Sequence, residues 1–263
     1  PRIDLEAQLL AVLGQHAGEG AIVYCLSRAD TESLAGKMQA HGVRAAAYHA
    51  GLEAGVRRDV QEAFLGEQLD VVVATVAFGM GIDRSNVRLV VHAAVPKSIE
   101  HYQQETGRAG RDGLPAECVL FYSAADVIRW RSLLERGAVV GEAPPDALAG
   151  QLAALADVQR MCNAVACRHR ALSEHFGQGY EPEDCGACDV CLGEVALLPD
   201  ATVTAQKILS CVARTGARFG VGHIVDVLTG ADSDTVRRRG HDSLSTYGLL
   251  KDTPKKALVN LVY

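Results

Sequence analysis

The sequence predicts an α/β fold: a mostly parallel β-sheet with helices on both faces, followed by a cysteine-rich helical module and a basic helical tail. Three observations carry this. Short apolar, β-branched runs alternate with helical stretches over residues 1–140, the rhythm of a parallel sheet with crossover helices. Five of the eight cysteines fall between 162 and 191. Charge is segregated: residues 1–140 carry 14 Lys+Arg against 17 Asp+Glu, 141–194 carry 3 against 9, and 195–263 carry 9 against 6. The net charge of −6 hides a tail of opposite sign, as expected of a segment that faces nucleic acid.

The elements follow in order. AIVYCL (21–26) is a buried strand. Asp30 or Thr31 can cap a helix that runs to about His41, with Leu34 and Met38 on one face and Gly42 as the stop. Strands are expected at 43–50, 69–75, 87–94 and 117–122, with a helix at 56–64. Cys25 and Cys118 lie inside apolar runs and are expected as buried, reduced thiols. In the tail, helices are expected at 205–212 (Ile208, Leu209 and Val212 on one stripe), 221–228 with Gly222 as a weak point, 235–239 and 243–247. Thr229-Gly230 is a stop, and a further helix is expected at the end of the sequence.

No apolar run approaches the ~20 residues of a membrane span, and no charged-then-apolar leader opens the chain. Together with the cysteine spacing this predicts a reducing, cytoplasmic setting and no membrane partner. Residue 1 is Pro, so the chain reads as part of a longer one.

In parallel sheets ligands sit at the carboxyl ends of the strands. Two loops there carry chemistry. VAFGMGID (76–83) places Gly79 and Gly81 one residue apart, letting backbone approach a phosphate, with Thr75 and Asp83 bracketing the turn. SIEHYQQETGRAGRDG (98–113) gathers Gln103, Gln104, Glu105, Arg108 and Arg111 among glycines. On a helix, Gln104, Arg108 and Arg111 share a face, and two guanidinium groups can fork around a triphosphate. Cys185, Cys188 and Cys191 form C-x-x-C-x-x-C, a spacing that aims several thiolates at one metal ion. Cys162, Cys167, His169 and His175 are the upstream candidates for a fourth ligand; Cys162 is expected on the same helix as Cys167, at a different angle.

These segments resemble a known family. AIVYCLSRADTESLA, YHAGL, ATVAFGMGIDRSNVRLVVH and QQETGRAGRDG are similar to motifs IV to VI of superfamily-two helicases, in the form they take in the RecQ DNA helicases. CRHRALSEHFGQ with CGACDVCL resembles the RecQ zinc-binding subdomain, and RFGVGHIVDVLTG with GHDSLSTYG resembles the RecQ winged helix.

The resemblance implies a second RecA-like domain at 1–140, a zinc-binding helical subdomain at 141–195 and an incomplete, mostly helical winged-helix domain at 196–263. It implies an ATP-dependent 3′–5′ DNA helicase acting in recombination, replication and repair. Arg111 would be the arginine finger, Arg108 its partner, and Gln104 a coupling residue. Gly79, Gly81 and Asp83 would face the nucleotide. Ser27, His49 and Thr75 would meet single-stranded DNA, a helix cap being the alternative for Ser27, and Arg214, Arg218, Arg237 and Arg238, with Arg239, duplex phosphates. The family pattern selects Cys167 to join Cys185, Cys188 and Cys191 around one structural zinc. ATP and magnesium belong to the complete enzyme. The implied partners are DNA, an upstream first RecA-like domain and a single-strand-binding protein, and the implied location is the nucleoid. No G-x-x-x-x-G-K-[S/T] phosphate loop occurs, so this chain alone is expected not to hydrolyse ATP. A non-catalytic zinc and winged-helix DNA-binding module, or an RNA helicase, are the competing readings.

Overall fold

The computed structural model describes residues 1–75, 78, 84–139, 145–195 and 200–262. They form two compact units, Pro1–Cys191 and Leu192–Tyr263.

The first unit runs α1 (Leu5–Gln15), β1 (Gly20–Tyr24), α2 (Arg28–Ala40), β2 (Ala45–Tyr48), α3 (Ala54–Leu65), β3 (Val71–Ala74), β4 (Val87–His92), α4 (Ile99–Thr106), β5 (Glu117–Leu120), α5 (Ala124–Val139), α6 (Pro145–Asn163) and α7 (Arg168–His175). The strands form one sheet in the order β2-β3-β1-β4-β5, and every pairing is parallel. All five expected strands are present.

The two-residue period of each strand sorts its side chains between two cores. Ala21, Val23, Val71, Val73, Leu89 and Val91 face Leu9 and Leu13 of α1 and Leu34 and Met38 of α2. Ile22, Tyr24, Val72, Ala74 and Val90 face the other side, with Phe64 of α3 and Phe78. Helices therefore cover both faces, as expected.

Two local expectations are corrected. Helix α2 begins at Arg28, and its cap is Ser27 rather than Asp30 or Thr31: the Ser27 Oγ accepts the Asp30 N–H at 3.1 Å. Thr31 is instead buried, its hydroxyl donating to the Ser27 carbonyl at 2.9 Å. Cys118 is exposed, because β5 is an edge strand whose first residues lack a covering layer. Cys25 is half-buried against the first core, and burial pushes its thiol up to about 12.

A third core joins the sheet edge to the helices beyond it. Val95, Ile99 and Tyr102 pack with Val158, Met161 and Cys162 of α6 and Ala171 and Leu172 of α7. The helix that opens the arginine-rich loop thus leans directly on the cysteine module.

The second unit holds α8 (Ala201–Arg214), α9 (Val221–Thr229), α10 (Asp234–Arg238), a short 3₁₀ turn at His241–Ser243 and α11 (Lys255–Val262). Helix α9 buries Ile224, Val225, Val227 and Leu228 against Ile208, Cys211, Val236, Leu250 and Leu258. Leu209, expected in the α8 stripe, is 66% exposed; Cys211 takes that inward place. Gly222 lies in the first turn of α9, where it interrupts nothing. The expected helix at 243–247 is absent. The residues that follow it cap α9: the N–H groups of Gly248 and Leu250 donate to the carbonyls of Val227 and Leu228 at 2.9 and 2.8 Å. Those carbonyls have no partner inside α9, and Gly230, at φ +68°, makes the turn that brings them out.

Candidate functional site

Because all five strands are parallel, their carboxyl ends share one edge. Ser27, His49 and Thr75 stand just beyond β1, β2 and β3 at that edge. Ser27 is held by α2: besides accepting the Asp30 N–H, its Oγ donates to Asp30 Oδ2 at 2.7 Å. His49 is buried, with Nδ1 accepting the Gly51 N–H at 3.2 Å. Its Nε2 therefore carries the proton and donates to Glu32 at 2.9 Å. The Thr75 N–H donates to the Tyr48 carbonyl at 3.3 Å, joining the ends of β3 and β2.

The arginine-rich loop lies beyond β4. Ser98 caps α4 by accepting the His101 N–H at 3.2 Å. The helix stops at Thr106, so the expected single face of Gln104, Arg108 and Arg111 does not form: Gln104 is on the helix, and both arginines lie in the turns that follow. Two glycines are the reason. Gly107 ends the helix, and Gly110 adopts φ +62° with its N–H donating to the Val87 carbonyl at 2.9 Å. A Cβ at Gly110 would meet the Leu114 carbonyl oxygen at 2.8 Å. The turn is thus tied to the start of β4, and Ala109 packs under it against the Phe64–Phe78 core. Arg88 pairs with Asp112 and donates to the Pro115 carbonyl at 3.1 Å, closing the far side.

Arg108 is half-buried and Arg111 exposed, its Nε donating to the Gly107 carbonyl at 3.4 Å. Both arginines act on Tyr24 at the end of β1: burial pushes its hydroxyl well above the ordinary range, and the two cations oppose that push. Tyr24 donates to the Phe78 carbonyl at 3.1 Å. Gly79, Gly81 and Asp83 lie outside the described residues.

The second site is the cysteine cluster. The Sγ atoms of Cys167, Cys185, Cys188 and Cys191 lie within 4.8 Å of one another. Cys188 and Cys185 N–H groups donate to Cys185 and Cys191 sulfurs at 3.2 and 3.4 Å, and the Arg168 N–H donates to Cys188 at 3.5 Å. Burial would raise the Cys188 thiol, but the Arg168 and Cys191 N–H groups and the adjacent sulfurs bring it down to about 6. Four soft sulfur donors, with Cys188 favoured as the thiolate, fit a structural zinc.

Cys162 is not in the cluster. Helix α6 ends at Asn163 and Cys167 opens α7, so the two cysteines sit on different helices, contrary to expectation. Cys162 packs in the core, and burial raises its thiol to about 11. His169 is exposed, and His175 pairs with Glu100 of α4 at 2.7 Å. Arg168 ties the module down by gripping both oxygens of Asp189, at 2.9 and 3.1 Å, and the Met161 and Ala164 carbonyls.

In the second unit, Arg214, Arg218, Arg237, Arg238 and Arg239 are all exposed. Arg218 and Arg239 both lie over the Phe219 ring, at 5.6 and 5.8 Å. Arg237 is engaged by Asp232 and Asp234 at 2.6 and 2.8 Å, so it offers less charge than the sequence implies.

Three families match in this order: the helicase conserved C-terminal domain over residues 4–113, the RecQ zinc-binding family over 124–192, and the RQC domain over 198–263. Together the three matches span most of the chain and make up the C-terminal portion of a RecQ-type helicase. It is 44% identical to an ATP-dependent DNA helicase RecQ of Pasteurella multocida, covering 93% of this chain and 38% of that protein. It is 41% identical to the RecQ helicase of Bacillus subtilis, over 89% of this chain and 38% of that one. A RecQ-like DNA helicase of Caenorhabditis elegans is 38% identical, over 88% and 24%. The chain thus spans under two-fifths of these curated relatives. Strands β1 to β4 and the arginine turn lie in the helicase C-terminal match, and the four cysteines in the RecQ zinc-binding match. Among the described residues no helix is long and apolar enough to cross a membrane.

His92 and Glu105 carry a contact that sequence reasoning missed. Glu105 was visible in the arginine-rich motif, and a histidine closing the apolar run Leu89–Val91 was the signal for its partner.

Proposed function

We propose that this chain is the part of a RecQ-type, ATP-dependent 3′–5′ DNA helicase that completes the nucleotide site and grips DNA. One observation carries this reading: Arg108 and Arg111 sit on a glycine-anchored turn that Gly110 ties to the start of β4, with both guanidinium groups acting on Tyr24 of the sheet. A guanidinium held there can neutralise charge on a transferring phosphoryl group without reorganising. Arg111 is the finger, Arg108 its partner near the phosphates, and Gln104 couples the nucleotide to a first RecA-like domain supplied upstream. Gly79, Gly81 and Asp83 complete the nucleotide face. Bound ATP with magnesium supplies the phosphoryl group.

Ser27, His49 and Thr75 meet the backbone of single-stranded DNA. Arg214, Arg218, Arg237 and Arg238 meet duplex phosphates, a sequence-independent and salt-sensitive attraction. Cys167, Cys185, Cys188 and Cys191 hold one structural zinc per chain. Work on DNA brings the protein to the nucleoid, alongside single-strand-binding protein.

The test uses the full-length enzyme. DNA-stimulated ATP hydrolysis is expected to fall by roughly 10³–10⁵-fold in Arg111→Ala, while this chain alone turns over no ATP. Unchanged hydrolysis in the variant, or turnover by the chain alone, refutes the assignment. Competition between DNA and RNA duplexes separates the DNA reading from an RNA helicase.

A further inference from the structure

We infer that Glu105 and His92 form a buried positioning pair that sets where the arginine turn stands. This rests on the reading that Arg108 and Arg111 serve ATP hydrolysis.

The pair lies beneath the turn. His92 is the last residue of β4, and Glu105 is in the last turn of α4. Their side chains are 1% and 7% exposed, and His92 Nε2 lies 2.7 Å from Glu105 Oε2. Among the described residues the buried His92 Nδ1 meets no hydrogen-bond partner. The polar contact that the ring makes there goes to the helix that launches the arginines. A carboxylate buried this deeply needs its donor.

The ring is also clamped. It stacks on Tyr24 at 5.5 Å and tilts against Tyr102 at 5.0 Å. Tyr24 reaches from β1 towards both arginines, and Tyr102 comes from α4 itself. The His92 ring is thus fixed by two strands and one helix. Through Glu105 it holds the helix end two residues before Gly107, where the backbone breaks into the arginine turn. Gly110 ties the other end of that turn to Val87, at the opposite end of the same strand. β4 therefore holds the turn at both ends, one through a backbone bond and one through a side-chain pair.

An apolar pair would fill the space equally well. A directional bond restricts the rotation and slide of α4 as packing does not, and a displacement of about 1 Å at a reacting group costs on the order of 10²-fold in rate. Neither His92 nor Glu105 is placed against nucleotide. Both act through Arg108 and Arg111.

The experiment compares variants of the full-length enzyme. Glu105→Ala is expected to lower kcat for DNA-stimulated ATP hydrolysis by about 10- to 100-fold, with KM for ATP changed less than about 3-fold. Glu105→Gln keeps an oxygen that accepts the His92 N–H and is expected to restore kcat to within about 3-fold. The double variant His92→Leu with Glu105→Leu removes the bond while filling the space. It is expected to keep Tm and zinc content, and still to lose kcat, which separates positioning from folding if Glu105→Ala fails to fold. Wild-type kcat in the double variant, or loss of kcat in Glu105→Gln equal to that in Glu105→Ala, overturns the inference. Arg111→Ala runs beside them: if it keeps full hydrolysis, the reading of the arginines fails and takes this inference with it; if it is inactive while the double variant is active, only the positioning role fails.

Discussion

The arginine turn and the cysteine knuckle are both short, glycine-bearing loops that must hold side chains in fixed places, yet they are held by different physics. The arginine turn rests on the sheet: Ala109 packs on the Phe64–Phe78 core, Gly110 bonds to Val87, and Glu105 meets a buried histidine. The knuckle has no apolar floor of that kind. Cys185 and Cys191 are half-buried, and the surrounding chain from 177 to 187 is almost entirely exposed. Its contacts are N–H···S bonds and the Arg168 grip on Asp189, whose carboxyl that guanidinium holds below the usual range. A loop with a core under it stays folded when any one polar contact is lost, even where its side chains shift. A loop without one depends on its metal.

The largest effect should come from taking the metal away. Structural zinc supplies an apparent binding free energy of about 10–16 kcal/mol to small zinc domains. Chelation is expected to release the amides around 167–191 to hydrogen exchange, while those of β1, β3 and β4 stay protected. Equal loss of protection in both regions would erase the distinction. Cys188→Ser should reproduce the chelated pattern, and Cys162→Ser should keep the metal.

Phe64→Ala probes the other side. Truncating this fully buried ring should cost about 3–5 kcal/mol, read as a lower midpoint of chemical denaturation. Zinc content of the folded protein should not change. A smaller effect belongs to Gly110→Ala, which places a side chain at φ +62° against the Leu114 carbonyl. About 1–3 kcal/mol of strain is expected, with kcat of the full-length enzyme falling more than its Tm would predict.

The smallest is a pH effect remote from both loops. Burial opposes charge on His16, but Glu117 and Glu19, at 2.9 and 2.7 Å, outweigh it and raise its pKa. Protonated His16 therefore stabilises the fold below its unfolded pKa, and that contribution is lost as pH rises through the folded value. His16→Gln should flatten the pH dependence of stability above the ordinary histidine pKa and leave metal binding and the arginine turn untouched.

Much of this was legible in the chain itself. The central strands were readable because a strand buried on both faces must be apolar throughout, as VVVA and AIVY are. The four-cysteine set was readable because the spacing and the family pattern named the ligands that the folded chain brings together. Helix ends were read less well. Ser27 displaced Asp30 as a cap, and α4 stopped before its arginines because Gly110 answers to Val87, a residue far from it in sequence.

What the sequence determined by itself was therefore what depends on near neighbours: strand and helix periodicity, the metal-binding spacing, the charge of the tail and the motifs that mark the family. Tertiary structure alone decided the strand order that leaves Cys118 at an edge, the segment at 247–250 that caps α9, and the meeting of His92 with Glu105. Each of these is a contact between distant residues, and its energy depends on what is buried beside it. Local pattern specifies which residues want burial, but only the packed chain determines which of them meet.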